Sequence, residues 1–108
     1  MSLLEFLPQA LEEMVEAARW YEQQREGLGQ DFVDELEVRL RRAVEVPGAG
    51  RLEPNAPEQF ALRWYSLKRF PYALLTGQLG DRRVVVAVAH ERRKPGYWKR
   101  RLGKGSPT

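Results

Sequence analysis

The chain has 108 residues, of which 43% are hydrophobic and 31% charged, enough for one domain with a single modest core. It has no cysteine, which excludes a disulfide framework and a thiolate metal site and predicts a reducing, cytoplasmic setting. No run approaches the roughly 18 apolar residues of a membrane span, and the N-terminus lacks the basic region and apolar run of a secretory signal, so neither a membrane-spanning nor an exported protein is expected.

The formal net charge of +3 hides an asymmetry. Residues 1–50 hold 5 Lys and Arg against 11 Asp and Glu, whereas residues 51–108 hold 13 against 4. A basic half of this kind implies an anionic partner, either nucleic acid or an acidic protein segment. The plainer alternative is that the two halves attract each other and the remaining charge is solvated surface.

Leu3, Leu4, Phe6 and Leu7 make a short apolar start that reads as a first strand ending at Pro8. Pro8 suits the first turn of a helix, where its missing N–H is not needed. Leu11, Met14, Val15, Ala18 and Tyr21 then recur at helical spacing among Glu12, Glu13, Glu16 and Glu22, and Gly27-Leu28-Gly29 is expected to end that helix. A second helix carries an apolar stripe of Phe32, Val33, Leu36, Leu40, Ala43 and Val44 and stops at Pro47-Gly48. So short a joint predicts an antiparallel helical hairpin.

Residues 47–59 hold three prolines and two glycines and are expected to be loop. The period then becomes strand-like. Leu62–Leu67 and Phe70–Leu75 read as strands around a Lys68-Arg69 turn, with Pro71 confined to an edge or turn. Gly80-Asp81 is a hairpin signal, and Val84–Ala89, dense in β-branched residues, reads as a buried last strand. The expected fold is α+β: an N-terminal strand, a two-helix hairpin and a three-stranded antiparallel sheet, in one domain over residues 1–102 with a disordered tail at 103–108. Leu11, Met14, Val15, Ala18, Phe32, Leu36, Leu40, Phe70, Leu74, Val84, Val86 and Val88 are the expected core. Both faces of the last strand are apolar, so its helix-facing residues are not legible.

That strand ends on His90, the single histidine, followed by Arg92, Arg93, Lys94, a Pro95-Gly96 turn, Tyr97, Trp98, Lys99, Arg100 and Arg101. One imidazole, two rings and a dense set of cations thus share one end of the domain. Adjacent residues point apart, so Trp98 is expected to pack and Tyr97 to lie nearer the surface. Arg63, Lys68 and Arg69 are expected to extend the basic surface. One histidine and no cysteine leave a poor ligand set, so no metal is expected. There is no glycine-rich phosphate loop and no Ser-His-Asp signature, and no cofactor is expected.

The segments P-Q-A-L-E-E-M, W-Y-E-Q-Q-R-E-G-L-G-Q-D-F, L-K-R-F-P-Y and A-V-A-H-E-R-R-K-P-G-Y-W-K-R-R, in this order, resemble the RelE/ParE superfamily of bacterial toxins, and its ParE-like branch in particular. The resemblance spans residues 3–101. It implies a cytoplasmic toxin of a type II toxin-antitoxin (plasmid stabilisation) module, silenced by an antitoxin with an acidic or amphipathic C-terminal segment. ParE-like members bind and inhibit DNA gyrase, whereas RelE-like members cut messenger RNA on the ribosome without a metal. Thr76 and Gly77 stand where the family's strand usually holds larger residues, so that strand is expected to be weak or bulged there.

A gyrase-binding toxin would use Arg63, Arg69, Arg92, Arg93, Lys94, Tyr97, Lys99, Arg100 and Arg101 against its target or antitoxin, and would not be a hydrolytic enzyme. For RNA cleavage, His90 would be base or acid, Arg93 and Arg101 (with Arg92) would clamp phosphate, and Tyr97 would stack or donate its proton. The competing reading of His90 is structural, closing the last strand through a hydrogen bond. Trp20, next to Tyr21, cannot share the centre of one helical stripe and marks an antitoxin or homodimer surface, or else covers the side of the core. A non-toxic interaction module that keeps the fold is the third reading.

Overall fold

Residues 4–103 are described by a computed structural model, so Leu3 and the expected tail at 104–108 lie outside the described residues. The elements are β1 (Glu5–Phe6), α1 (Pro8–Gln24), α2 (Leu28–Glu45), β2 (Arg51–Leu52), β3 (Arg63–Ser66), β4 (Tyr72–Leu79), β5 (Arg82–His90) and α3 (Lys99–Gly103), with 3₁₀ turns at Pro47–Ala49 and Glu58–Phe60. They form an α+β domain with a mixed five-stranded sheet in the order β1-β5-β4-β3-β2. β1 runs parallel to β5, with Glu5 opposite Val84 and Phe6 opposite Val85, and the other pairs are antiparallel.

The helical hairpin forms as its spacing predicts, with two corrections. Leu28 and Gly29 do not end the first helix; they open the second, and residues 25–27 make the joint, with Gly27 at φ +89°. Glu22, reaching back from α1, accepts hydrogen bonds from Gly27 N (2.9 Å) and Gly29 N (3.0 Å), satisfying amides that begin α2. The second correction concerns the buried stripe of α1. Leu11 and Val15 are exposed, while Ala10 and Ala17 are buried and Met14, Ala18 and Tyr21 pack beside them. Alanines let the helix lie close to the sheet, which larger residues would prevent.

Within the expected loop, Arg51 and Leu52 add an edge strand opposite Trp64 and Arg63. Two residues carry no periodicity, so the pairing is set by tertiary contacts. Arg63 donates to Gly48 O (3.3 Å) and Gly50 O (2.6 Å), and the Tyr65 hydroxyl donates to Pro47 O (2.9 Å). The Lys68-Arg69 turn is anchored from α2, where the Glu35 carboxylate accepts both backbone N–H groups and Asp31 pairs with Arg69 at 3.4 Å. Gly103, expected in the tail, ends a short third helix.

The bulge expected near Thr76 lies opposite it. Pairing passes from Leu75 with Ala87 to Thr76 with Val85, leaving Val86 as an extra residue in β5. The face assignments follow. Val85 and Val88 join the helix-side core around Phe32, Leu36, Phe70 and Leu74. Val84, Val86, Ala87 and Ala89 face the opposite side, where Leu62, Leu75, Trp98 and Leu102 cover them. Val84 and Val86, placed by the sequence in one core with the helices, therefore belong to a second core beneath the C-terminal segment.

Candidate functional site

β5 is buried from Val84 to Ala89 and surfaces at His90. The backbone turns over residues 91–93, and Gly96 takes φ +78°, a conformation that favours glycine. This reversal folds the segment back across the sheet. Trp98 is 2% exposed and meets Trp64 edge-on, with ring centroids 6.3 Å apart. Trp64 is oriented in turn by its Nε1–H, which donates to Glu53 at 2.8 Å.

Tyr97 turns the other way, toward α1, and there meets a residue that sequence reasoning passed over. The Glu13 carboxylate accepts hydrogen bonds from the Tyr97 hydroxyl (2.7 Å), from both terminal nitrogens of Arg101 (2.9 and 2.8 Å) and from the backbone N–H of Val88 (3.0 Å). Arg101 also donates to Val86 O at 3.0 Å. The Glu13 and Arg101 side chains are 14% and 13% exposed. Arg93 stands 4.0 Å from the same carboxylate, with its guanidinium 3.8 Å from the centre of the Tyr97 ring. Burial, and then the bond to Glu13, push the Tyr97 hydroxyl well above its ordinary pKa. The bond to Glu13 likewise raises Arg101 above its ordinary value.

Glu13 carried a signal: a carboxylate between Ala10 and Ala17 at helical spacing sits on the inward stripe, where an unpaired charge would be costly. β1 is too short to cover the β5 edge beyond Val85, and Glu13 and Arg101 satisfy Val88 N–H and Val86 C=O there instead.

Two open clefts flank this segment. The first, about 670 Å³, has Ser66, Ala73 and Ala89 side by side across three strands as its floor. Trp64, Tyr72, Tyr97 and Trp98 line its walls, with Arg51, Arg93, Lys94 and Lys99 around them. The second, about 610 Å³, runs between α1 and the end of β5 and includes Glu13, Glu16, Trp20 and Tyr21. Tyr72, His90 and Arg93 line both, forming a shared wall.

The candidate residues therefore divide. Arg92, Lys94, Lys99 and Arg100 are exposed, and Arg93 is half-exposed beside Glu13. Arg101 is held inside by Glu13, and Arg63 and Arg69 hold the loop before β2 and the turn against α2. His90 Nδ1 accepts the Arg92 backbone N–H at 3.0 Å, and its ring lies edge-on to Tyr72 at 5.1 Å. Trp20 is 55% exposed beside the second cleft. Among the described residues no three His, Asp or Glu side chains converge as metal ligands, and no helix is long and apolar enough to cross a membrane.

The family model described as "ParE toxin of type II toxin-antitoxin system, parDE" matches residues 4–95, which hold all five strands and the whole helical hairpin. The chain belongs to the ParE toxin family. A solved structure titled "Chromosomal ParDE TA system from P. aeruginosa" is similar in fold, with a TM-score of 0.66 and 14% identity over 83% of this chain and 96% of that one. Comparison with curated proteins finds no match in sequence. The ParE match stops at Pro95, before Tyr97, Lys99, Arg100 and Arg101.

Proposed function

We propose that this ParE-family toxin acts in the cytoplasm by binding a protein target, with DNA gyrase the candidate, and that its cognate antitoxin lays an acidic or amphipathic segment over the same basic face. The observation that carries this reading is the first cleft. Exposed cations surround a pocket with a small-residue floor and aromatic walls, the composition expected where an anionic protein segment docks on Arg and aromatic anchors. The outer face of α1, where Glu12, Glu16 and Glu22 are exposed against Arg19, is acidic, which favours this end as the docking surface for such a segment.

An RNA-cleaving site draws less support. Of His90, Arg93, Tyr97 and Arg101, the last two are committed to Glu13, and the Tyr97 proton is held more tightly than in a free phenol. A ribosome-dependent endonuclease stays as the second reading because His90 and Arg93 both line open clefts. Expression of the chain alone, and then with its antitoxin, tests the toxin reading: growth arrest relieved by the antitoxin supports it, and normal growth in both cultures refutes it. Mapping RNA ends after induction separates the two mechanisms, since cuts inside translated codons would favour the endonuclease.

A further inference from the structure

We propose that Glu13 is the positioning residue of the C-terminal surface: one α1 carboxylate sets where Tyr97 and Arg93 stand, and so shapes the wall between the two clefts. The functional part of this proposal rests on the toxin reading above; the positional part does not.

The geometry runs in one chain. Glu13 Oε2 accepts the Tyr97 hydroxyl at 2.7 Å and Arg101 at 2.8 Å, while Oε1 accepts Arg101 and the Val88 amide. The Val88 amide belongs to the rigid sheet, so the carboxylate is itself fixed and not a swinging group. The Tyr97 ring, fixed by its hydroxyl, lies under the Arg93 guanidinium at 3.8 Å, with Arg101 at 5.0 Å from the same ring. Cation–π contact and the 4.0 Å approach to Glu13 together orient Arg93, which lines both clefts. Arg101 thereby becomes a support for the surface and not a contact with target.

Trp98 and Leu102 fasten the other side of the segment through apolar packing. Losing Glu13 should therefore loosen and re-aim the segment without detaching it. The backbone bonds Tyr97 N to Lys94 O, Lys99 N to Gly96 O and Arg101 N to Trp98 O report on its order.

The test compares the full chain, Glu13→Gln and the double variant Glu13→Met/Arg101→Met by residue-resolved amide hydrogen exchange, thermal melting and growth arrest. Glu13→Gln keeps the shape and removes the charge. Exchange at the Lys99 and Arg101 amides should quicken about tenfold or more, the scale set by hydrogen bonds to a charged group, while Leu67 in the β3–β4 turn stays unchanged. In the double variant no charge is left buried without its partner, so the melting temperature should recover toward the parent. Exchange should stay fast and growth arrest should stay weakened, because Tyr97 and Arg93 still lack their guide.

Unchanged exchange at Lys99 and Arg101 in Glu13→Gln overturns the proposal, and so does a double variant that regains slow exchange and full toxicity along with its stability. If the parent chain does not arrest growth, the toxin reading has failed, and the exchange results decide the role of Glu13 by themselves.

Discussion

Gly29→Ala sets two physical effects of opposite sign against each other at the helical joint. Helix propensity favours alanine over glycine by about 0.8–1 kcal/mol within a helix. At this site the added Cβ would lie 2.5 Å from Ala18 O, a backbone atom of α1, and 3.1 Å from Glu22 Cβ. A backbone carbonyl cannot rotate away, so relief requires the helices to separate, and such overpacking costs about 1–3 kcal/mol. The same shift would move the Glu22 carboxylate off the Gly27 and Gly29 amides, a loss comparable with that of a helix cap, about 0.5–2 kcal/mol. The net expectation is a destabilisation of about 1–3 kcal/mol, which lowers Tm by about 5–20 °C in a domain of this size. Urea and thermal melts read this directly. Gly48→Ala is the control: nothing lies within 4 Å of its added Cβ, so stability should hold or rise by up to about 1 kcal/mol. A Gly29→Ala protein as stable as the parent would refute the close-packed joint.

Arg101→Ala should cost about 3–5 kcal/mol, because it leaves the Glu13 carboxylate buried without its cation, whereas Arg100→Ala, one residue away and exposed, should stay within about 0.5 kcal/mol. Chemical denaturation of both tells a structural arginine from a surface one, and equal losses would contradict the assignment. Tyr97 supplies a pH dependence. Its folded pKa lies above the ordinary 10.0, so the folded state keeps a proton that the unfolded chain releases. Its stabilising contribution is complete below pH 10 and is lost as pH rises through the folded value. The fall in stability above pH 10 should be shallower in Tyr97→Phe, and an identical slope in the two proteins would contradict it.

Much of the architecture was legible because each element carried a local signal. Phe32, Leu36 and Ala43 mark the inner face of α2 by period alone, Gly80-Asp81 turns β4 into β5, and the β-branched run Val84–Val88 marks the buried strand. What failed did so where tertiary contacts override pattern. Leu11 and Val15 look like core and are exposed, because α1 approaches the sheet through Ala10 and Ala17. β2 is invisible at two residues, and its pairing depends on Arg63 and Tyr65 holding the preceding loop. The side that each residue of β5 faces depends on the extra residue Val86, which reverses the alternation within a strand apolar on both faces. At the candidate site, the divergence of Tyr97 and Trp98 follows from their adjacency. The capture of Arg101 by Glu13 joins residues 88 positions apart and has no local signature in the basic cluster. Composition therefore located the basic end of the domain, while geometry divided its cations into exposed and structural ones.

On the proposed function, the exposed cations beside the first cleft engage gyrase. The decisive measurement titrates purified toxin into a gyrase supercoiling reaction, beside a variant in which Lys94 and Lys99 are replaced by Ser. The parent chain should inhibit, less so as salt is raised, and the variant should inhibit about tenfold or more weakly while its melting temperature is unchanged. Gyrase activity unaffected by excess parent chain, or inhibited equally by the variant, would contradict it.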